Sequence, residues 1–249
     1  MDTSRTTLIT GAASGIGAAT AMRVAAWSSI VVADRDLQGA EKIAARIVSA
    51  GGKAMAVEVD VQDRTSVASM VECVTRELGA IHGLFNNAGI NIRQGIDSVT
   101  ARDWDAVITT HVKGTLLVSQ AVLPQMLARG SGAVVNSGSD FSVIGVPGLA
   151  AYCAAKTAVY SMTKAMAVEF TSRGIRINAV GPGPIDTPML RSGTEEEVRT
   201  RLEDYRERIP MKRLGRPEEV AAVVDFLLSE RASYIAGQIV HPNGGTVMW

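Results

Sequence analysis

The feature that most constrains the fold is a regular beat. Short apolar runs ending in Gly, Asn or Asp are each followed by a longer segment with apolar residues at helical spacing. Residues 6–10, 30–34, 54–60, 83–86, 133–137, 176–180 and 238–241 read as seven buried strands. Residues 16–27, 37–50, 65–78, 101–128, 150–173 and 217–229 read as the intervening helices. Strands made of unbroken apolar runs must be covered on both faces, so the pattern predicts an α/β fold, a doubly wound seven-stranded parallel sheet flanked by helices. A chain of 249 residues with 47% hydrophobic composition can bury a core of that size. No linker or repeat divides it, which predicts one domain over 1–249. The least regular stretch is 181–213, and within it residues 188–212 are expected to form a flap over a site.

Charge and cysteine usage narrow the function. Twenty-five Lys+Arg balance 25 Asp+Glu, so no overall field would draw the chain to nucleic acid or an anionic membrane. Cys73 and Cys153 are too few for a disulfide framework, and no Cys/His cluster points to a metal. No apolar run approaches the roughly 18 residues of a membrane span, and no signal-like segment precedes the first strand. The expected compartment is the cytoplasm.

The first strand ends in Thr10-Gly11-Ala12-Ala13-Ser14-Gly15-Ile16-Gly17 and enters a helix directly. Glycines there allow positive φ and let backbone N–H groups approach a pyrophosphate at the positive helix end; the same glycines also suit a plain tight turn. Asp34 closes the second strand, where a carboxylate can accept both ribose hydroxyls of an adenosine and repel a 2′-phosphate. Like charges at 4 Å cost about 4 kcal/mol at an effective dielectric of 20, which favours NAD over NADP; the neighbouring Arg35 works the other way. Asn86-Asn87-Ala88-Gly89 follows the fourth strand, at the end of the sheet where ligands sit.

Tyr152 and Lys156 are four apart on an expected helix and share a face, and Ser139 lies just beyond the fifth strand. A phenol, an ammonium and a hydroxyl brought together make a proton-transfer unit. Lowering a phenol by about 3 units takes about 4 kcal/mol, which one ammonium at about 4 Å can supply. Phe141, Ile144, Val146, Leu149, Met189 and Leu190 are available to wall an apolar pocket, with Asp140, Asn91, Arg93 and Gln94 adding polar contacts.

In this order and spacing, from Thr6 almost to the C-terminus, these motifs resemble the classical short-chain dehydrogenase/reductase family. The resemblance implies a single Rossmann domain and an oxidoreductase moving a hydride between NAD(H) and a secondary alcohol or ketone. Tyr152 would then be the general acid/base, Lys156 would tune it and hold the nicotinamide ribose, and Ser139 would hold the substrate oxygen. Gly11, Ser14, Gly15, Ile16, Gly17, Asp34 and Arg35 would meet the adenosine and phosphates. Asp60, Val61, Asn87, Ala88 and Gly89 would border adenine and ribose, and Pro182, Gly183, Ile185 and Thr187 the nicotinamide. The family's long helices, here 101–128 and 150–173, imply a homotetramer, or second a dimer.

Three departures stand out. His111 occupies the place of the family's catalytic Asn, as a fourth catalytic residue expected to add a group titrating near neutrality. Trp27-Ser28-Ser29 replaces a usual helix-ending glycine, and His241-Pro242-Asn243 a usual acidic residue. Two other readings compete: an NADPH-dependent 3-oxoacyl-(acyl-carrier-protein) reductase, if Arg35 overrules Asp34, and an NAD-binding regulator deficient in turnover, if His111 breaks the relay.

Overall fold

The structure, a computed structural model, describes residues 5–248. Seven strands, β1 (Thr6–Thr10), β2 (Ser29–Asp34), β3 (Ala54–Glu58), β4 (Ile81–Asn86), β5 (Gly132–Ser137), β6 (Ile175–Val180) and β7 (Ile239–Val240), form one parallel sheet. The strand order is β3-β2-β1-β4-β5-β6-β7. The order reverses between β1 and β4, which opens a crevice beyond their carboxyl ends. The helices are α1 (Gly15–Val24), α2 (Leu37–Ser49), α3 (Arg64–Leu78), α4 (Ala101–Ile108), α5 (Gly114–Arg129), α6 (Ala150–Phe170), α7 (Glu195–Arg208) and α8 (Pro217–Leu228).

Successive strand residues face opposite sides, so each strand feeds two cores. Leu8, Leu84, Val134 and Ile177 pack with α3, α5 and α6. Ile9, Phe85, Val135 and Val180 pack on the other face with α1, α2 and α8. This double burial is why the strands read as unbroken apolar runs.

The structure departs from the sequence reading in several places. β3 stops at Glu58, β4 begins at Ile81, and β7 is only two residues long. The helix expected over 101–128 contains one π-helical turn, Thr109–Lys113, between α4 and α5. Together they make a 29-residue helical stretch, Ala101–Arg129, long and apolar enough by length and composition to cross a membrane. The sequence reading missed it because polar residues break its apolar runs. More than half of its apolar window is buried in the fold, where Leu117, Val118, Val122 and Met126 enter the core.

Trp27 explains its own departure. α1 ends early, at Val24, and the Trp27 indole donates to Asp225 of α8 at 2.7 Å. Arg23 and Arg231 pair with the same buried carboxylate. The residue that replaces a helix-ending glycine therefore ties α1 to α8. The charged run before residue 208 forms α7, opened by a reciprocal capping box between Thr194 and Glu197.

Candidate active site

At one end of the crevice the chain is shaped by glycine and backbone. Gly11 and Gly15 take φ of +63° and +54°, and a Cβ at Gly11 would lie 2.7 Å from the Ala88 Cα. The Asn87 side-chain amide donates to the Thr10 and Gly11 carbonyls at 3.1 and 3.0 Å. Thr10 Oγ1 accepts in return from the Asn87 and Ala88 N–H groups. The glycine turn and the turn after β4 are thus clamped into one unit.

That unit lines a cavity together with Ser14, Ile16, Gly89, Asp34, Arg35, Asp60 and Val61. Asp34 accepts from the Ala13 N–H through Oδ2 at 2.9 Å and from the Asp36 N–H through Oδ1 at 3.0 Å. Gly17 was expected to line the site but does not. It sits inside α1, where a Cβ would overlap the Gly11 carbonyl, so it lets the helix close onto the turn.

At the other end the site is built from buried side chains. Ser139, Tyr152, Lys156 and His111 line one cavity, bordered by Pro182, Gly183, Ile185 and Thr187. Tyr152 and Lys156 project from the first turns of α6. Lys156 is buried, donates to the Ser137 carbonyl at 2.7 Å, and has its ammonium 5.5 Å from the centre of the Tyr152 ring.

Burial pushes Lys156 down to about 7. Burial also raises the Tyr152 phenol above its ordinary range, with the Ser139 hydrogen bond opposing it. This corrects the expectation that Lys156 makes the phenol acidic. In the protein alone desolvation is the first cause of the shift and Lys156 is not among the charges that move the phenol; the ammonium is itself desolvated and committed to the Ser137 carbonyl.

His111 lies in the π turn. Its Nε2 lies 2.7 Å from the Ile90 carbonyl oxygen and 3.2 Å from the Ile90 backbone nitrogen; the shorter contact, to an acceptor, favours the tautomer with the proton on Nε2, and the ring stands edge-on to Tyr152. Nδ1 is buried without a hydrogen-bond partner among the described residues. Burial first, and then the Lys156 charge, push the imidazole down to about 3. His111 is therefore neutral throughout the neutral range, which corrects the expectation of an extra group titrating there. A Cβ at Gly89 would overlap the imidazole, so a histidine here requires glycine opposite.

One residue escaped the sequence reading, and a second was read only in part. Tyr160 stands four beyond Lys156, and its hydroxyl donates to the Ser139 carbonyl at 2.7 Å. A Cβ at Gly138 or Gly181 would overlap it. The signal was present as a third member of the four-residue spacing, with small residues facing it. The second is Asp140, given only as a possible polar contact, which is buried at the end of the Ser139 hydrogen bond.

Of the expected pocket wall, Phe141, Met189 and Leu190 line the catalytic cavity, and Ile144 and Val146 line an adjoining hollow. Leu149 does not: it is fully buried. Asn91 and Arg93 line the cavity, whereas Gln94 does not. Tyr205 of α7 closes the far wall, accepting from Arg93 at 3.2 Å.

Comparisons with known proteins bear on the family and the fold. The family model described as enoyl-(acyl carrier protein) reductase matches residues 11–247. The chain is 40% identical over 242 residues to a 3-oxoacyl-(acyl-carrier-protein) reductase of Thermotoga maritima, covering 97% of both chains. It is 40% identical over 232 residues to a cyclohexanol dehydrogenase of Acinetobacter sp., covering 92% of this chain and 90% of that one. The crystal structure of levodione reductase superposes with a TM-score of 0.93 at 37% identity, covering 98% of this chain and 97% of that one. With the glycine turn, the Ser-Tyr-Lys group and a match over nearly its whole length, the chain belongs to the classical short-chain dehydrogenase/reductases, oxidoreductases acting on CH–OH donors.

Proposed function

We propose that the protein exchanges a hydride between NAD(H) and a secondary alcohol or ketone, with Tyr152 as general acid/base. The observation that carries this reading is that the glycine-built cradle and the Ser139, Tyr152 and Lys156 group share one crevice, with Ile16, Asn87, Gly89 and Thr187 lining both cavities.

The cradle fits a nicotinamide dinucleotide. Ser14 makes no side-chain cap, and the first turn of α1 carries no acidic residue, which leaves the positive helix end for a pyrophosphate. Asp34 is positioned by two backbone N–H groups with its carboxylate on the cavity wall, where it favours ribose hydroxyls over a 2′-phosphate. NAD is accordingly the proposed cofactor. When bound, it supplies or accepts the hydride.

In reduction, Tyr152 gives its proton to the carbonyl oxygen as that oxygen gains charge; in oxidation it takes the proton from the alcohol. Ser139 holds the same oxygen. Lys156 holds the ribose and stabilises the phenolate that remains after proton transfer. His111 stays neutral beside Tyr152, and the free lone pair on Nδ1 is available to a relay water behind Lys156. Residues 188–212 act as the substrate flap, since Met189, Leu190, Arg201 and Tyr205 already close on the cavity.

Single-domain organisation over 1–249, a cytoplasmic location and a homotetramer complete the proposal. The last is supported by exposed apolar residues on α5 and α6, Leu116 and Val168. A second reading, an NADPH-dependent acyl-carrier-protein reductase, is favoured by Arg35, exposed on the wall of the same cavity as Asp34. A panel of secondary alcohols and ketones with both cofactors separates the two, with Tyr152→Phe as the blank. Turnover with NAD(H) is expected. Preference for NADPH and an acyl thioester would replace the first reading, and tight NADH binding with no turnover would make the protein a regulator.

A further inference from the structure

Beside Ser139 lies a carboxyl that no step above uses. Asp140 is buried, in the wall of the catalytic cavity behind Ser139. Its Oδ1 lies 3.3 Å from Ser139 Oγ, and its Oδ2 is buried without a hydrogen-bond partner among the described residues. Its backbone N–H is tied to the Pro182 carbonyl at 3.1 Å.

The groups facing it supply no counter-charge. α6 offers Tyr152, Cys153 and Tyr160, all of which feel its charge. Lys156 is turned to the Ser137 carbonyl, His111 is neutral, and the segment after β6 offers only a backbone carbonyl. Arg93, Arg201 and Tyr205 line the same cavity, yet no cation forms an ion pair with Asp140 among the described residues. Ser139 Oγ already accepts from the Phe141 N–H at 3.2 Å. Its single proton therefore has three possible acceptors: the Asp140 carboxylate, the Tyr152 phenol oxygen, or a substrate oxygen in the cavity.

We propose that Asp140 is a positioning residue that sets the direction of the Ser139 hydroxyl. Ionised, Asp140 draws the Ser139 proton to itself and Ser139 presents only a lone pair to the cavity. Protonated, Asp140 donates to Ser139 Oγ and frees the Ser139 proton for a substrate carbonyl. The substrate oxygen carries most charge in the transition state that reduction and oxidation share, so protonation of Asp140 supports hydride transfer in both directions and its ionisation withdraws that support from both. Desolvation, partly opposed by the Ser139 and backbone hydrogen bonds, pushes this carboxyl up to about 7, where the exchange falls in the working range. The inference rests on the role proposed above for Ser139.

The test has two arms. In steady-state ketone reduction by the whole enzyme, kcat is expected to fall about tenfold per pH unit above the Asp140 titration. Asp140→Asn is expected to remove the Asp140 contribution, leaving the limbs of Tyr152 and Lys156 and so a shallower profile, with KM little changed and oxidation affected alike. A profile in Asp140→Asn as steep as that of the wild type, with the same midpoint, overturns the proposal.

The second arm needs no turnover. The Asp140 carboxyl ¹³C resonance, assigned through bonds from its own backbone, is expected to titrate near neutrality. Its midpoint should rise in Ser139→Ala, because the donated hydrogen bond that favours ionisation is lost. A midpoint below about pH 5 in the wild type, or one that Ser139→Ala leaves unmoved, overturns the proposal. A wild type that turns over no ketone would defeat the functional reading while this arm still decides the coupling.

Discussion

The two ends of the crevice are made of different materials. Around Gly11, Asn87 and Asp34 the surface is backbone, small residues and one positioned carboxylate, held by a mutual clamp between two turns. Around Tyr152 it is made of ionisable side chains that burial has moved off their ordinary values: Lys156 and His111 down, Asp140 and Tyr152 up. A site shaped by backbone binds through fit and is damaged by added atoms. A site shaped by desolvated acids and bases sets rates and is damaged by changed proton affinity. Substitutions at the first end should therefore appear in cofactor affinity, and those at the second in kcat and pH dependence.

The largest test of this division is Tyr152→Phe. Loss of the general acid/base is expected to lower kcat by about 10²–10⁴-fold, with NADH affinity, read by cofactor fluorescence, little changed. A comparable loss of affinity would break the comparison.

Gly11→Ala is its mirror image. The added Cβ meets the Ala88 backbone at 2.7 Å in a conformation that L-residues rarely adopt, so cofactor affinity should weaken by up to about 3 kcal/mol. Calorimetric titration measures this, and kcat at saturating cofactor should be largely retained.

His111 sharpens the comparison through stability. The unfolded chain takes up its proton near pH 6.5, while the native imidazole, pushed down to about 3, does not. Between those values the unfolded state binds more protons, so stability rises with pH across the window and falls as acid is added. At about pH 5 this contribution costs roughly 2 kcal/mol. His111→Asn should remove it in urea titrations at two pH values, while leaving the activity profile above neutrality unmoved.

The smallest effect is expected at Asp34. Asp34→Ala removes the carboxylate that faces the ribose and should shift the NADPH-to-NADH affinity ratio by about tenfold towards NADPH. An unchanged ratio would return cofactor choice to Arg35.

Much of the fold was legible because burial on both faces leaves a plain trace: β1 to β6 are apolar runs ending at the crevice. The spacing of Tyr152 and Lys156, and the glycines before α1, were legible for the same local reason. What escaped depends on contacts distant in sequence. The π turn at His111 leaves the helical period almost intact and appears only when Ile90 and Gly89 meet the imidazole. Tyr160 becomes part of the site through Gly138 and Gly181, on two different strand ends. The direction of the Tyr152 shift required knowing how deeply the phenol and ammonium are desolvated, which spacing does not carry.

The account depends most on Tyr152 acting on a substrate oxygen while a nicotinamide lies in the glycine-built cradle. Single-turnover transfer of deuterium from NADH deuterated at the reactive carbon to a cyclic ketone tests this directly, in the wild type and in Tyr152→Phe with NADH bound to both. Deuterium on the carbinol carbon in the wild type, with transfer slowed at least about a hundredfold in the variant, is the predicted result. Equal transfer rates in the two proteins would contradict it.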